Sequence, residues 1–136
     1  MELLHASAVA FDRRGLIILG PSGSGKSTLA FQLIALGAVL IADDQVRGTA
    51  RDGRLWLEPP ETIADQIEAR GLGILGSLSV SAFASLVVDL SRVETERLPP
   101  HRSTRIAGVE LPLAYKLESP AFAAMLRVYL EGGRIA

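Results

Sequence analysis

The chain has 136 residues, of which 49% are hydrophobic and 21% charged, and its formal net charge at pH 7 is −1. This length predicts one domain, spanning residues 1–136, with its own core. The charge balance argues against nucleic acid and against an anionic membrane surface as partners. The sequence contains no cysteine, which excludes a disulfide framework and a cysteine metal site and favours a cytoplasmic protein.

The first part of the chain predicts strands and turns around one helix. Residues 3–11 and 16–19 predict two strands that pair as a hairpin about the turn at 12–15. Residues 28–36 predict a helix that Gly37 ends. Residues 38–42 are apolar and predict a buried strand that stops at an Asp-Asp pair.

The middle of the chain predicts a second hairpin and then less regular structure. Residues 46–50 and 54–57 flank an Asp-Gly turn, which is typical of a hairpin. Residues 61–68 predict a short helical turn with two isoleucines four positions apart. Residues 70–76 contain too much glycine for a helix, and residues 86–90 predict a strand.

The last part predicts a loop, a strand and a helix. Residues 94–104 contain two prolines and several charges, which indicates a loop. Residues 105–113 predict a final strand with an interruption, and Ser119 predicts the cap of a helix that begins at Pro120. The sum is an α/β domain with a mixed sheet.

The segment Gly20-Pro-Ser-Gly-Ser-Gly-Lys26-Ser27 matches the phosphate-loop pattern G-x-x-x-x-G-K-[ST]. Its glycines allow the backbone N–H groups to face an anion, Lys26 reaches the outer phosphates, and the Ser27 hydroxyl ligates magnesium. A strand before it and a helix after it are the context that this motif requires. We therefore expect bound ATP and Mg²⁺. The expected nucleotide contacts are Gly20, Pro21, Ser22, Gly23, Ser24, Gly25, Lys26, Ser27 and Thr28.

Two acidic positions compete for the carboxylate that such a site needs. Asp43 and Asp44 end a buried strand, where ligands collect in α/β sheets. Asp89 follows an apolar run in a second nucleotide-site pattern, and it reads more simply as a strand-edge residue. His5 lies on a strand expected to run beside the one that leads into the loop. Its alternative is an ordinary packed or surface histidine.

The segment Ile67-Glu68-Ala69-Arg70-Gly71-Leu72-Gly73-Ile74 closely resembles the signature I-E-x-R-G-L-G-I of the bacterial HPr kinase/phosphorylase family. The order of His5, the phosphate loop, the Ala42-Asp43-Asp44 segment and this signature is also that of the family. The resemblance implies a phosphate-loop kinase fold similar to phosphoenolpyruvate carboxykinases. It also implies phosphorylation of a serine on the phosphotransferase-system carrier HPr, the reverse transfer to inorganic phosphate, and a homo-oligomer, hexameric in the family.

The resemblance also implies roles for single residues. Asp43 is similar to the group that removes the serine proton, His5 to its partner and Asp44 to the neighbouring acid. Ser27 and Glu68 are similar to the magnesium ligands, and Arg70 to a residue that organises phosphate. Arg97 resembles an arginine that assists phosphorolysis.

Some positions depart from the family pattern. Pro21 stands where aspartate is frequent and Ser24 where valine is frequent, and well-known members carry an additional N-terminal domain, so we interpret this chain as a short catalytic-domain form. Two other functions stay open at this point. One is a non-catalytic nucleotide-binding regulatory module, and the other is a small-molecule kinase with the same loop.

Overall fold

The computed structural model describes all 136 residues and contains one large sheet, one small sheet and two α-helices. The helices are α1 (Lys26–Ala35) and α2 (Phe122–Gly132), and a 3-10 turn spans Glu61–Ile63. The strands are β1 (Glu2–Leu4), β2 (Ala6–Phe11), β3 (Arg14–Leu19), β4 (Val39–Ala42), β5 (Val46–Arg51), β6 (Arg54–Glu58), β7 (Gln66–Ala69), β8 (Gly73–Gly76), β9 (Ala82–Val93), β10 (Arg102–Ile106) and β11 (Val109–Lys116). The α/β class with a mixed sheet is confirmed.

The large sheet has the order β1-β5-β6-β9-β3-β2-β4, and the β10–β11 hairpin joins it where β11 pairs with β9. Strands β3, β9 and β11 are parallel to one another, while β2 is antiparallel to both β3 and β4. The C-terminal ends of β3, β4, β9 and β11 therefore lie along one edge of the sheet, together with the beginning of β2. This edge, called the loop edge below, carries the phosphate loop.

Alternating residues of the central strands divide between two cores. Val9, Leu16, Ile18 and Val88 pack against α1 and α2, where Leu33 is completely buried. Residues of the opposite face, such as Ile17 and Val87, pack against side chains of β5, β6, β10 and β11. Because the sheet's own strands cover this second face, the sheet is curled.

Both predicted hairpins are confirmed. β2 and β3 meet at Asp12 and Arg13, whose φ angles are 45° and 68°. β5 and β6 meet at Asp52 and Gly53, with φ angles of 51° and 75°. Two successive residues with positive φ are typical of the tight turn whose twist fits paired strands.

Several predicted boundaries were wrong. The strand expected at 3–11 breaks at His5 into β1 and β2. The helical turn expected at 61–68 ends at Ile63, because the backbone is already extended at Ala64, with a ψ of 147°, and β7 begins at Gln66. Residues 70–76 contribute β8, the partner of β7. The strand expected at 105–113 is a hairpin that turns at Ala107 and Gly108.

The last helix also starts later than predicted. It begins at Phe122. Ser119 Oγ accepts a hydrogen bond, at 3.1 Å, from the N–H of Ala121, the residue directly before the helix. The loop predicted at 94–104 covers 94–101 only, because β10 starts at Arg102. Neither α-helix has the length and apolar character needed to cross a bilayer.

Candidate active site at the loop edge

The phosphate loop connects the end of β3 to the first turn of α1. Gly20, Gly23 and Gly25 all have positive φ angles, of 155°, 82° and 101°. This conformation curls the backbone so that successive N–H groups can converge on one anion. A Cβ on Gly20 would contact Ser24 Oγ and Leu90 Cβ, so together with its positive φ the start of the loop favours glycine.

The loop lysine is held against the loop. Lys26 Nζ donates to the carbonyl of Gly20 at 2.8 Å and to that of Pro21 at 3.2 Å. Its ammonium group is therefore already located at the anion-binding concavity, where α1 also contributes the positive end of its dipole.

Asp43 joins the end of β4 to the loop. Its Oδ1 accepts hydrogen bonds from Ser27 Oγ at 3.0 Å and from Ser7 Oγ at 2.7 Å. Ser7 is the one polar residue among the fully buried residues of the chain. Ser7 lies on β2, between β3 and β4 in the sheet, so the Asp43 carboxylate links the end of β4 to β2 and to the first turn of α1.

Asp44 points away from this inner contact. It has a φ of 71°, and the Gln45 N–H donates to the carbonyl of Asp43 at 2.9 Å across it. Its carboxylate is 72% exposed and lies 4.0 Å from His5 Nδ1. The Ala6 N–H donates to the carbonyl of Asp44 at 3.1 Å, which fixes this turn to the break between β1 and β2.

The adjacent aspartates therefore have different surroundings. Asp43 is half-buried and doubly hydrogen-bonded, whereas Asp44 is exposed and is the neighbour of His5. The sequence predicted His5 as the partner of Asp43, and the structure pairs it with Asp44.

Asp89, the competing carboxylate, makes a local contact. Its Oδ1 accepts from the Ser91 N–H at 2.9 Å and from Ser91 Oγ at 2.6 Å. It lies opposite Leu19 on β3, and it makes no hydrogen bond to the loop. Asp43, which bonds to Ser27, is the better candidate of the two.

Three other predicted residues lie apart from this cluster. Glu68 and Arg70 belong to the β7–β8 hairpin, and both side chains are exposed without a hydrogen bond or ion pair. Arg97 lies in the 94–101 loop and lines a groove against α2. The structure shows no contact between these side chains and Lys26, Asp43 or Asp44.

Sequence reasoning missed Ser7. The available signal was a single serine within an otherwise apolar strand directly after His5. Its meaning depends on the pairing of β2 with both β3 and β4, which joins residues far apart in the chain.

A protein family and several curated proteins are similar in sequence to this chain. Residues 1–111 match the family described as HPr Serine kinase C-terminal domain. The chain is 41% identical over 92 residues to an HPr kinase/phosphorylase of Streptococcus thermophilus, covering 67% of this chain and 29% of the relative. It is 36% identical over 124 residues to that of Streptococcus uberis, covering 80% of this chain and 40% of the relative.

The chain thus spans less than half the length of these curated relatives. Its fold is similar to that of the Hpr(Ser) kinase/phosphatase from Coxiella burnetii, with a TM-score of 0.78 at 20% identity, covering 96% of this chain and 89% of the other. The family match covers most of the sequence and includes the loop, the acidic pair and the signature segment. The chain belongs to the HPr serine kinase C-terminal domain family.

Proposed function

We propose that this chain is the catalytic unit, over residues 1–136, of an ATP-dependent protein serine kinase that acts on an HPr-like phosphocarrier protein. The observation that carries the proposal is the 3.0 Å hydrogen bond from Ser27 Oγ to Asp43 Oδ1. A loop hydroxyl beside a strand-end carboxylate is the arrangement that holds magnesium against a nucleotide in phosphate-loop enzymes.

The residues present fit both ATP and magnesium. The curled loop and Lys26 offer N–H groups and a cation to the phosphates, and Ser27 with Asp43 offers two oxygen ligands. No cluster of three or more His, Asp or Glu side chains is present, and Mg²⁺ usually needs only one or two carboxylates in addition to substrate phosphates. The ion would neutralise charge between the outer phosphates.

We assign the proton transfer to Asp44. Asp43 Oδ1 already accepts hydrogen bonds from Ser7 and Ser27, whereas the Asp44 carboxylate is exposed and open to an incoming protein. The serine oxygen of the partner would form a bond to the γ-phosphorus as the bond from that phosphorus to the β–γ bridging oxygen breaks. The serine proton passes to the Asp44 carboxylate, beside which His5 Nδ1 lies at 4.0 Å. Lys26 and the loop N–H groups stabilise the charge on the transferring group.

The roles of three further residues remain predictions. Glu68 as a second magnesium ligand, Arg70 as a phosphate-organising residue and Arg97 as an aid to phosphorolysis rest on the family pattern. The assembly into a homo-oligomer rests on the same pattern, and the cytoplasmic location is a prediction from the absence of cysteine.

Transfer of labelled phosphate from ATP to HPr in the presence of Mg²⁺ tests the proposal. We expect one phosphoserine on HPr by mass spectrometry. Asp44→Asn should slow transfer by roughly 10²–10⁴-fold without loss of ATP affinity, since general base catalysis contributes about that much. Asp43→Asn should also weaken the Mg²⁺ dependence of ATP binding.

Asp12→Asn is the matched control. Asp12 is exposed, has a positive φ of 45° and lies in the β2–β3 turn at the opposite edge of the sheet. It should leave transfer unchanged. ATP binding without transfer to HPr would instead support the regulatory module, and transfer to a metabolite would support the small-molecule kinase. A fully active Asp44→Asn variant would show that Asp44 is not the general base and would leave Asp43 as the candidate.

A further inference from the structure

One face of the β5–β6 hairpin extends beyond the cover of the helices. The core beneath α1 and α2 includes residues of β2, β3, β4 and β9 but none of β5 or β6. On the opposite face of β6, Leu57 is completely buried. The uncovered face, called the arginine face below, carries five side chains that the strand register places on one side: Arg47, Arg51, Arg54, Trp56 and Phe83.

The two arginines beside the hairpin turn lie over aromatic rings. Arg54 Cζ is 3.9 Å from the centre of the Phe83 ring, and Arg51 Cζ is 5.1 Å from that of the Trp56 ring. The two rings contact each other edge to face, with 4.8 Å between their centres. Stacking on a ring orients a planar guanidinium group and leaves its N–H groups available to an anion.

Arg51 and Arg54 are directly opposite each other across the two strands. Like charges in this position destabilise a strand pair. The ion pairs of the chain are formed elsewhere, by His5, Arg102 and Arg127. A carboxylate bound between the two guanidinium groups would replace their repulsion by two charge-assisted contacts, so this pair is suited to hold an anion.

Arg47 adds a third cation at the other end of β5. Its Nε is buried and has no acceptor within the chain. It lies four residues before Arg51, which corresponds to about 13 Å along a strand. Trp56 is opposite Thr49, between these two positions. A ligand that contacts all three arginines therefore needs carboxylates about 13 Å apart and an apolar group between them.

Two carboxylates beside the arginine face restrict what can bind there. Asp52 lies in the turn between Arg51 and Arg54, and Glu58 is opposite Arg47. A nucleic acid has a negative charge at every nucleotide, so these carboxylates would repel its backbone. A protein segment can instead place its carboxylates at the arginines alone. Arginine and tryptophan are also the residues that dominate the binding energy of protein interfaces.

We propose that the arginine face binds an acidic segment of a partner protein. Carboxylates of the segment contact Arg51 and Arg54 at one end and Arg47 at the other, and an apolar side chain packs against Trp56. This binding does not require the proposed kinase activity, because no residue of the phosphate loop takes part in it.

The fluorescence of Trp56 reports binding at this face, because Trp56 is the only tryptophan of the chain. The probe is a synthetic peptide with two aspartates at each end and one phenylalanine in the middle, separated from them by glycines. We expect a saturable change of fluorescence that weakens between about 0.05 and 0.5 M salt, since exposed charges are screened. The same peptide with asparagine in place of aspartate should bind about 10-fold more weakly or less.

Variants of the two stacked arginines locate the contact. Arg51→Ala and Arg54→Ala should each lower the affinity for the acidic peptide by about 3- to 5-fold, the effect of one exposed ion pair. Arg92→Ala is the matched control, because Arg92 is also exposed and has its Cζ 5.7 Å from the centre of the Tyr115 ring. It should bind the peptide as the wild type does. The double variant Arg51→Glu, Arg54→Glu should prefer a peptide with lysine in place of aspartate, which a misfolded chain would not do.

Other results would overturn the proposal. Equal binding of the aspartate and asparagine peptides, or unchanged affinity in both arginine variants, would show that the arginine face does not recognise carboxylates. Tighter binding of a single-stranded oligonucleotide or of anionic lipid vesicles would assign the face to nucleic acid or to a membrane. If Trp56 fluorescence changed with protein concentration alone and ultracentrifugation showed a dimer, the occupant would be a second copy of this chain.

Discussion

The loop edge and the β7–β8 hairpin both carry residues of the family pattern, and they are built very differently. The loop edge continues strands whose central residues Leu16, Ile17 and Ile18 are completely buried. The hairpin is a separate two-stranded sheet, and its Leu72 and Ile74 are 81% and 61% exposed. An isolated two-stranded hairpin is marginally stable in water.

Few contacts attach the hairpin to the rest of the molecule. Ile67 is buried in the core beneath the helices, the Val80 N–H donates to the carbonyl of Leu40 at 2.9 Å, and Asp65 accepts from Ser79 at the base. The site residues at the loop edge are therefore positioned by the main sheet. The positions of Glu68 and Arg70 depend on the few contacts that hold the hairpin against the main sheet. The hairpin is therefore the less stable part of the candidate site.

The largest expected difference between the main sheet and the hairpin is the free energy of unfolding that is lost when a buried aliphatic side chain is truncated. Leu33→Ala on α1 should lower the free energy of unfolding by about 4 kcal/mol, because the main core cannot collapse around the lost volume. Ile67→Ala should lower it by only about 1–2 kcal/mol, since the hairpin can detach while the sheet stays folded. Urea denaturation followed by circular dichroism measures both. Equal losses would mean that the hairpin unfolds together with the main sheet.

The same contrast explains what the sequence could predict. The phosphate loop and both tight hairpins are specified by residues adjacent in the chain, so their patterns predicted them. The β7 strand was predicted as a helical turn because its determinant is not local. The backbone is already extended at Ala64, and the carboxylate of the next residue, Asp65, is held by Ser79, fourteen positions further along.

The chemistry of the candidate site divides in the same way. The motif predicted Lys26 and Ser27, and the strand end predicted the acidic pair. The distinct surroundings of Asp43 and Asp44 depend on β2 and on the break before it, because Ser7 on β2 contacts Asp43 and His5 at the break lies beside Asp44. Periodicity along one strand contains no information about which distant strands lie beside it.

A smaller effect is expected from loosening the base of the hairpin. Asp65→Ala removes the acceptor for the Ser79 N–H, at 2.7 Å, and for Ser79 Oγ, at 2.6 Å. We expect several-fold faster hydrogen exchange of the β7 and β8 amides, measured by mass spectrometry, with α1 unchanged. Asp52→Ala is the control, because Asp52 also has a positive φ, of 51°, but lies in the β5–β6 turn, away from the β7–β8 hairpin. Asp52→Ala should accelerate hydrogen exchange only in the β5–β6 turn. If exchange of β7 and β8 accelerated in both variants, the hydrogen bonds of Asp65 would not be what holds the hairpin in place.

The smallest expected effect is a dependence of hairpin docking on pH. The hydrogen bonds from the Ser79 hydroxyl and then its N–H lower the pKa of Asp65 below its ordinary value, with a small opposing effect of burial. A carboxylate whose pKa is lower in the folded chain stabilises it above the unfolded pKa, near 4, and loses that contribution as pH falls through the folded value. Hydrogen exchange of β7 and β8, corrected for the intrinsic rate, should therefore stay level from pH 7 to 5 and accelerate relative to α1 below about pH 4.

The variant Asp65→Asn removes the negative charge of residue 65 but keeps an acceptor for the hydrogen bonds from Ser79. Asparagine tolerates the φ of 63° at this position, and its amide oxygen can still accept from Ser79. The variant should show faster exchange of the hairpin at neutral pH and no further change relative to α1 in acid, because no proton binds at residue 65. An acid response as large in the variant as in the wild type would mean that the titrating group lies elsewhere. The hairpin would then be docked by Ile67 and the Val80–Leu40 hydrogen bond, without a contribution from the charge of Asp65.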